Sequence, residues 1–206
     1  MSLDYDPDAA IAALRGADAK LGRMIDRIGP YRLRNQSHLT PFQALLRSII
    51  YQQLSGKAAG SIHARVVALF PSSRPVAKRV MTLTDEELRG AGLSRGKVLA
   101  VRDLAAKCLD RTVPLKTQLK TMDDEAIIDR LVQVRGIGRW TAEMLLIFNL
   151  GRADVLPVDD LGVRRGFLHT FGGKVLPDAK KMLARGKRWR PYRSVASWYL
   201  WRASEL

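Results

Sequence analysis

Cysteine occurs once in these 206 residues, as Cys108. A single thiol excludes an intrachain disulfide and any zinc or iron–sulfur centre held by four cysteines. It falls in the apolar run Leu99, Val101, Leu104, Ala105, Cys108, where a buried, inert thiol is expected rather than a nucleophile. Histidine is nearly as scarce: His38, His63 and His169 lie far apart and show no metal-ligand spacing, so nothing points to metal-dependent hydrolysis. No uninterrupted apolar run is long enough to span a bilayer, and the opening MSLDYDPDAA is acidic and polar rather than basic and then apolar. A soluble, intracellular, cytoplasmic protein is the resulting expectation. Acidic residues are in deficit, 20 Asp and Glu against 35 Lys and Arg, for a formal net charge of +15. Such an excess favours a polyanionic partner bound with counterion release. An anionic membrane surface is the rival reading of the same charge.

Sustained period-two alternation is also missing, so strands should be few. What is present reads almost throughout as helix. Thr40-Pro41-Phe42-Gln43 supplies an N-cap, a first-turn proline and a capping-box glutamine ahead of Leu45, Leu46, Ile49 and Ile50. Thr84-Asp85-Glu86-Glu87 repeats that logic, with Gly90 to Gly92 closing a short helix. Ser94-Arg95-Gly96-Lys97 leads into Val98, Val101, Leu104 and Ala105. Asp123 or Asp124 starts a helix through Ile127, Ile128 and Leu131, and a last one carries Val195, Trp198, Tyr199 and Trp201. The class is all-α. No internal linker is long enough to declare independent domains, so residues 1–206 read as one unit.

Between two of these helical patterns lies Val134-Arg135-Gly136-Ile137-Gly138-Arg139-Trp140-Thr141-Ala142. Two glycines one residue apart allow backbone angles that other residues resist and let the main chain approach a phosphate closely. The following helix begins with exposed N–H groups at the positive end of its dipole, a seat for a phosphate oxygen. Arg135 and Arg139 add charge beside it. The bland alternative is a helix–helix turn with glycine caps. Downstream, Asp159 and Asp160 follow Pro157-Val158 and precede an apparent helix, Leu161 to Thr170; one of the two is expected to cap that helix.

The string VRGIGRWTAEMLL resembles the helix–hairpin–helix of the base-excision DNA glycosylases, and most of all the 3-methyladenine DNA glycosylase II group. FQALLRSIIYQQLSGKAA, DVLPVDDLGVRRGF and RWRPYRSVASWYLW agree with the same group in the expected order, covering most of Pro41 to Arg202. The resemblance is to the compact form, without the extra N-terminal domain of some members. It implies two helical lobes around a central cleft, about residues 41–150 with the hairpin forming one and residues 1–40 plus 151–206 the other. It also implies a monomer acting on double-stranded DNA, with no required cofactor.

By that resemblance, the backbone of DNA is gripped by Arg135, Gly136, Ile137, Gly138, Arg139 and Thr141, with Ser94, Arg95 and Lys97 as a second turn. Ser94, Arg95 and Lys97 read equally well as a solvated basic loop. The catalytic aspartate lies in the Asp159–Asp160 pair. Ungapped counting from Trp140 favours Asp160, whereas an alignment on Pro-Val-Asp chooses Asp159. Trp140 and Trp201, with Met144 and Tyr51, match positions lining the base pocket, where aromatic faces attract a cationic purine; Trp189 and Trp198 read as core. Gln53, in the loop Tyr51 to Ser55, matches the wedge that fills the gap left by the extruded base. Main-chain carbonyls of Val132, Val134 and Ile137 match a site for Na+ or K+.

The activity so implied is hydrolysis of the N-glycosidic bond of alkylated purines, 3-methyladenine first and 7-methylguanine as a further candidate. Relatives that also nick the strand carry a lysine where this chain has Trp140, so a monofunctional enzyme leaving an abasic site is expected. The hairpin and the charge alone suit a non-catalytic helix–hairpin–helix DNA-binding module equally well. Asp159–Asp160 with Trp140 and Trp201 separates the two, because a simple binder has no use for them. A glycosylase for another base lesion is the remaining alternative.

Overall fold

The computed structural model describes residues 3–206. Those residues contain helices and turns and no strand, as the missing alternation requires. The chain divides into two compact units: one formed by the chain up to Asn35 together with Leu146–Leu206, the other by the continuous stretch Gln36–Leu145.

The discontinuous unit opens with α1 (Pro7–Ala17) and α2 (Ala19–Ile28), joined at Asp18, which ends the first helix and accepts the Lys20 and Leu21 N–H groups at the start of the second. The chain then enters the continuous unit, which holds α3 (Pro41–Tyr51), α4 (Gly56–Ala68), α5 (Ala77–Val80), α6 (Asp85–Gly90), α7 (Arg95–Leu109), α8 (Lys116–Leu119), α9 (Asp124–Leu131) and α10 (Arg139–Leu145). It returns with a π-helical turn at Leu146–Leu150, then α11 (Leu161–Phe171), α12 (Ala179–Gly186) and α13 (Arg193–Ala203).

Local chemistry sets the helix starts in the continuous unit. Thr40 with Gln43, and Thr84 with Glu87, form reciprocal capping boxes, while Ser94 and Asp123 cap α7 and α9. Each cap contributes about 1 kcal/mol. Burial of Leu45, Leu46, Ile49 and Ile50 on α3 and of Val98, Val101 and Leu104 on α7 contributes about 1.5–3 kcal/mol per side chain. The α3–α7 packing therefore outweighs the caps, which decide where the helices begin. Cys108, on α7, is partly buried, and burial, then the Asp110 charge, pushes its thiol up to about 12. A thiol held there stays protonated and unreactive.

In the discontinuous unit, α11 and α13 touch backbone to side. A Cβ at Gly166 would lie 1.7 Å from the Leu200 carbonyl oxygen, so only glycine permits this approach. Around that contact Leu14, Leu21, Ile25, Val163, Phe167, Met182, Trp189, Val195 and Leu200 form one core. Asp18 is buried beneath it and accepts hydrogen bonds from Arg185 Nε at 2.7 Å and Trp189 Nε1 at 3.1 Å. Trp189 is fully buried, as expected. Trp198 packs against the rim of the same core, half-buried and edge-on to Tyr31 at 4.9 Å. Neighbouring Tyr199 and Leu200 take the inward face of α13 instead. Among the described residues, no helix is long and apolar enough to cross a membrane.

Candidate functional site

The hairpin joins α9 to α10 within the continuous unit. Val134 and Ile137 are buried and anchor it, and the Ile137 N–H closes the turn on the Val134 carbonyl at 3.0 Å. The two glycines have different duties. Gly136 has φ +79°, a left-handed conformation that disfavours other residues. Gly138 has no such angle, and a Cβ there would meet no heavy atom within 4 Å among the described residues; its absence leaves clearance on the exposed side of the turn. The first backbone bond into α10 runs from the Ala142 N–H to the Gly138 carbonyl. The main-chain N–H groups before it lie at the positive end of α10.

Several side chains expected at this grip are otherwise engaged. The Arg139 guanidinium is held by Glu125 through bonds of 2.5 and 2.9 Å and by Glu143 at 3.2 Å. It is a charge already balanced by two carboxylates, not one offered to a phosphate. Thr141 is buried and Ile137 is buried, so any contact they make with DNA comes from their main chain. Arg135, exposed, keeps its side chain outward while its N–H donates to Asp103 Oδ2 at 2.7 Å. Trp140 is 46 % exposed on the first turn of α10, which rules out core packing for it, and Met144 one turn later is half-buried.

Of the three carbonyls expected to hold a cation, that of Val134 accepts the Ile137 N–H at 3.0 Å.

In the second basic turn, Ser94 caps α7 by accepting the Lys97 N–H, and Arg95 is exposed. Lys97 turns inward. Its ammonium donates to the carbonyls of Ile50 at 2.6 Å and Gln52 at 2.9 Å, and burial lowers its pKa below the ordinary lysine value. The expectation of a phosphate contact from Lys97 is corrected: that charge holds the end of α3. The loop beyond, Gln52 to Ser55, is exposed at its tip, and Gln53 sits there with φ +58°. Tyr51 packs against Arg47 (4.1 Å to the ring centroid) and His63 (6.1 Å between rings).

The carboxylate belongs to the discontinuous unit. Asp160 Oδ1 accepts the Val163 N–H and the Trp201 Nε1–H, each at 2.8 Å. The sequence reading divided capping and chemistry between Asp159 and Asp160; in the structure Asp160 is the cap, and it is also the residue held by the tryptophan. Asp159 is exposed. Trp201 stacks on Phe148 with centroids 5.6 Å apart and planes 27° apart. Gly162 makes the contact feasible, because a Cβ there would lie 2.8 Å from Trp201 Cδ1 and 3.2 Å from Asp160 Oδ1.

Gln52, Asp103, Phe148 and Gly162 were not anticipated. Asp103 had a signal, since it stands four residues before Lys107 on α7 and pairs with it at 2.8 Å. Gln52, Phe148 and Gly162 act on partners distant along the chain, which no local pattern reveals.

Residues 46–191 match the family described as HhH-GPD superfamily base excision DNA repair protein. Among curated proteins, DNA-3-methyladenine glycosylase 1 of Schizosaccharomyces pombe is 34% identical over 195 residues, covering 94% of this chain and 86% of that protein. The structure of the S. pombe 3-methyladenine DNA glycosylase (Mag1) in complex with abasic DNA superposes with a TM-score of 0.86 at 33% identity, covering 96% of this chain and 97% of that one. A DNA-3-methyladenine glycosidase from Bacillus halodurans gives 0.87 at 35% identity, over 98% and 91% of the two chains. The chain belongs to the HhH-GPD superfamily of base excision DNA repair proteins.

Proposed function

We propose that this protein is a monofunctional DNA glycosylase that removes alkylated purines, 3-methyladenine foremost and 7-methylguanine as a further substrate, from double-stranded DNA. The observation that carries this reading is the Asp160 carboxylate fixed through one oxygen by the Val163 and Trp201 N–H groups. The names of the S. pombe and B. halodurans relatives agree with it.

Cleavage of the C1′–N bond leaves positive charge on the sugar, and a fixed anion beside it lowers the barrier electrostatically. The bonding pair leaves with the purine. N-alkylation has already made that purine cationic, so it departs neutral and needs no strong general acid. Water adds its oxygen to C1′ and gives up a proton, leaving an abasic site. Asp160 is the carboxylate assigned this role, with Trp201 holding it in place. Trp201 and Trp140 present aromatic faces suited to a cationic base, with Met144 and Tyr51 as the further pocket residues. Indole at position 140 cannot form a Schiff base, which supports hydrolysis without strand cleavage. The hairpin grips the backbone through the main chain of Gly136 to Thr141, with Arg135 and Arg95 as exposed charges; Gln53 is the wedge. A Na+ or K+ on the main-chain carbonyls of Val132, Val134 and Ile137 would add a fixed positive charge to that grip.

Release of free base from methylated duplex DNA tests the proposal. Wild type is expected to release 3-methyladenine and Asp160→Asn to be slower by about 10²–10³-fold, with Asp159→Asn close to wild type. Loss in the Asp159 variant alone moves the carboxylate by one residue. No release by wild type, alongside salt-sensitive binding, sinks the enzyme and leaves a DNA-binding module.

A further inference from the structure

One stripe of α7 meets both DNA-facing segments of the continuous unit. Lys97, in its first turn, donates to the carbonyls of Ile50 and Gln52 where α3 ends. Three residues on, Ala100 faces Gly136, where a Cβ would lie 3.6 Å from the alanine Cβ. Three further on, Asp103 accepts the Arg135 N–H at 2.7 Å and is itself held by Lys107 at 2.8 and 2.9 Å. Gln52 completes the set: its Nε2 donates to the Gly136 carbonyl at 2.8 Å. The loop carrying Gln53 is thus tied at its root to the helix behind it and to the hairpin beside it.

This arrangement is more than a helix cap. The last carbonyls of any helix need partners, but water serves for most. Here a partly buried ammonium serves two of them, one at the residue immediately before the left-handed Gln53. A charged donor to two carbonyls resists displacement far better than water does.

We propose that Lys97 and Gln52 are positioning residues that hold the Gln53 loop at a fixed offset from the hairpin, so that gripping the backbone and entering the base stack occur in one register. The inference rests on the glycosylase reading and adds to it the step that precedes bond cleavage. Extruding a paired base costs a few kcal/mol, and a wedge that can retreat does not meet that cost. A base that is already unpaired needs little help from the wedge.

The test compares wild type with Lys97→Met, Lys97→Arg and Gln52→Ala on methylated duplex DNA and on the same DNA in single-stranded form. Lys97→Met and Gln52→Ala are expected to slow 3-methyladenine release from the duplex by about tenfold or more. Release from single strands should fall by less than about threefold, and Lys97→Arg should recover much of the loss. Binding of undamaged duplex should stay within about twofold, because the exposed backbone contacts are untouched. Gln52→Ala removes no core atom, so it remains informative if Lys97→Met fails to fold. Unchanged duplex release in both variants, or an equal loss on both forms of DNA, overturns the proposal. A duplex containing 2-aminopurine gives a readout independent of cleavage. Wild type should raise its fluorescence on binding and the two variants much less; equal rises, or none with wild type, also overturn it. Absence of base release by wild type would instead count against the glycosylase reading itself.

Discussion

At Asp160 a single carboxylate oxygen accepts two N–H groups, one from the turn it caps and one from the indole of Trp201 forty-one residues away. A cap alone would leave the carboxylate free to swing with its rotamer, and the indole removes that freedom. Trp201→Phe keeps an aromatic ring facing Phe148 and removes the donor, together with some packing at Gly162. Hydrogen bonds to charged groups contribute about 1.5–3 kcal/mol, so single-turnover base release should fall by about 10–100-fold while duplex affinity holds. A loss of affinity with an unchanged rate would instead assign Trp201 to binding. Much of this residue-level picture was legible in advance: the Pro-Val-Asp-Asp run, the hairpin glycines and the two tryptophans all stand out in the sequence. What could not be read was how each charge is spent. Arg139 and Lys97 look like phosphate ligands in the string, yet their partners are Glu125, Glu143 and the carbonyls of Ile50 and Gln52. Of these only Glu143 stands at a helical spacing that a sequence reader could have used.

Helix starts were the most legible elements, because a cap and its target lie within three residues of one another. Thr40, Thr84, Ser94 and Asp123 all cap where their side-chain chemistry placed them. Contacts between helices follow no such local rule, and Gly166 shows it. In the sequence it is an unremarked residue inside a helix, where glycine ordinarily costs stability. In the structure it is the place where α13 brings its Leu200 carbonyl against α11. Gly166→Ala should therefore destabilise despite the better helix propensity of alanine. A backbone carbonyl cannot rotate aside, so the expected loss is about 3 kcal/mol or more, roughly 6–12 °C in Tm. Thermal denaturation followed by circular dichroism measures this, and an unchanged or raised Tm would show that the two helices part easily.

For the molecule as a whole, stability is tied to acid pH through two hydrogen-bonded carboxylates, Asp18 and Asp103. Burial alone would raise the pKa of Asp18, but hydrogen bonds from Arg185, Trp189 and the Leu21 N–H outweigh it and hold the carboxyl below its ordinary value. Asp103 behaves likewise: burial opposes ionisation, and the Arg135 N–H and Lys107 overcome it. A depressed folded-state value stabilises the protein above the unfolded pKa and is lost as pH falls through the folded one. Tm should accordingly be nearly flat above about pH 5 and drop steeply below about pH 4. Asp18→Asn should start lower at neutral pH and fall less on acidification; a profile parallel to wild type would assign the acid loss to the repulsion of a +15 chain instead. The same aspartate bears on the order in which the protein is made. Asp18 and Arg185 are 167 residues apart, because one unit is built from two stretches of chain that flank the other in sequence. At a synthesis rate of about 5–20 residues per second, α1 and α2 wait on the ribosome for roughly 8–33 s before their partners emerge. The hairpin unit is complete in sequence well before then. A nascent chain thus holds its hairpin-bearing unit in full while the unit that bears Asp160 is still being written.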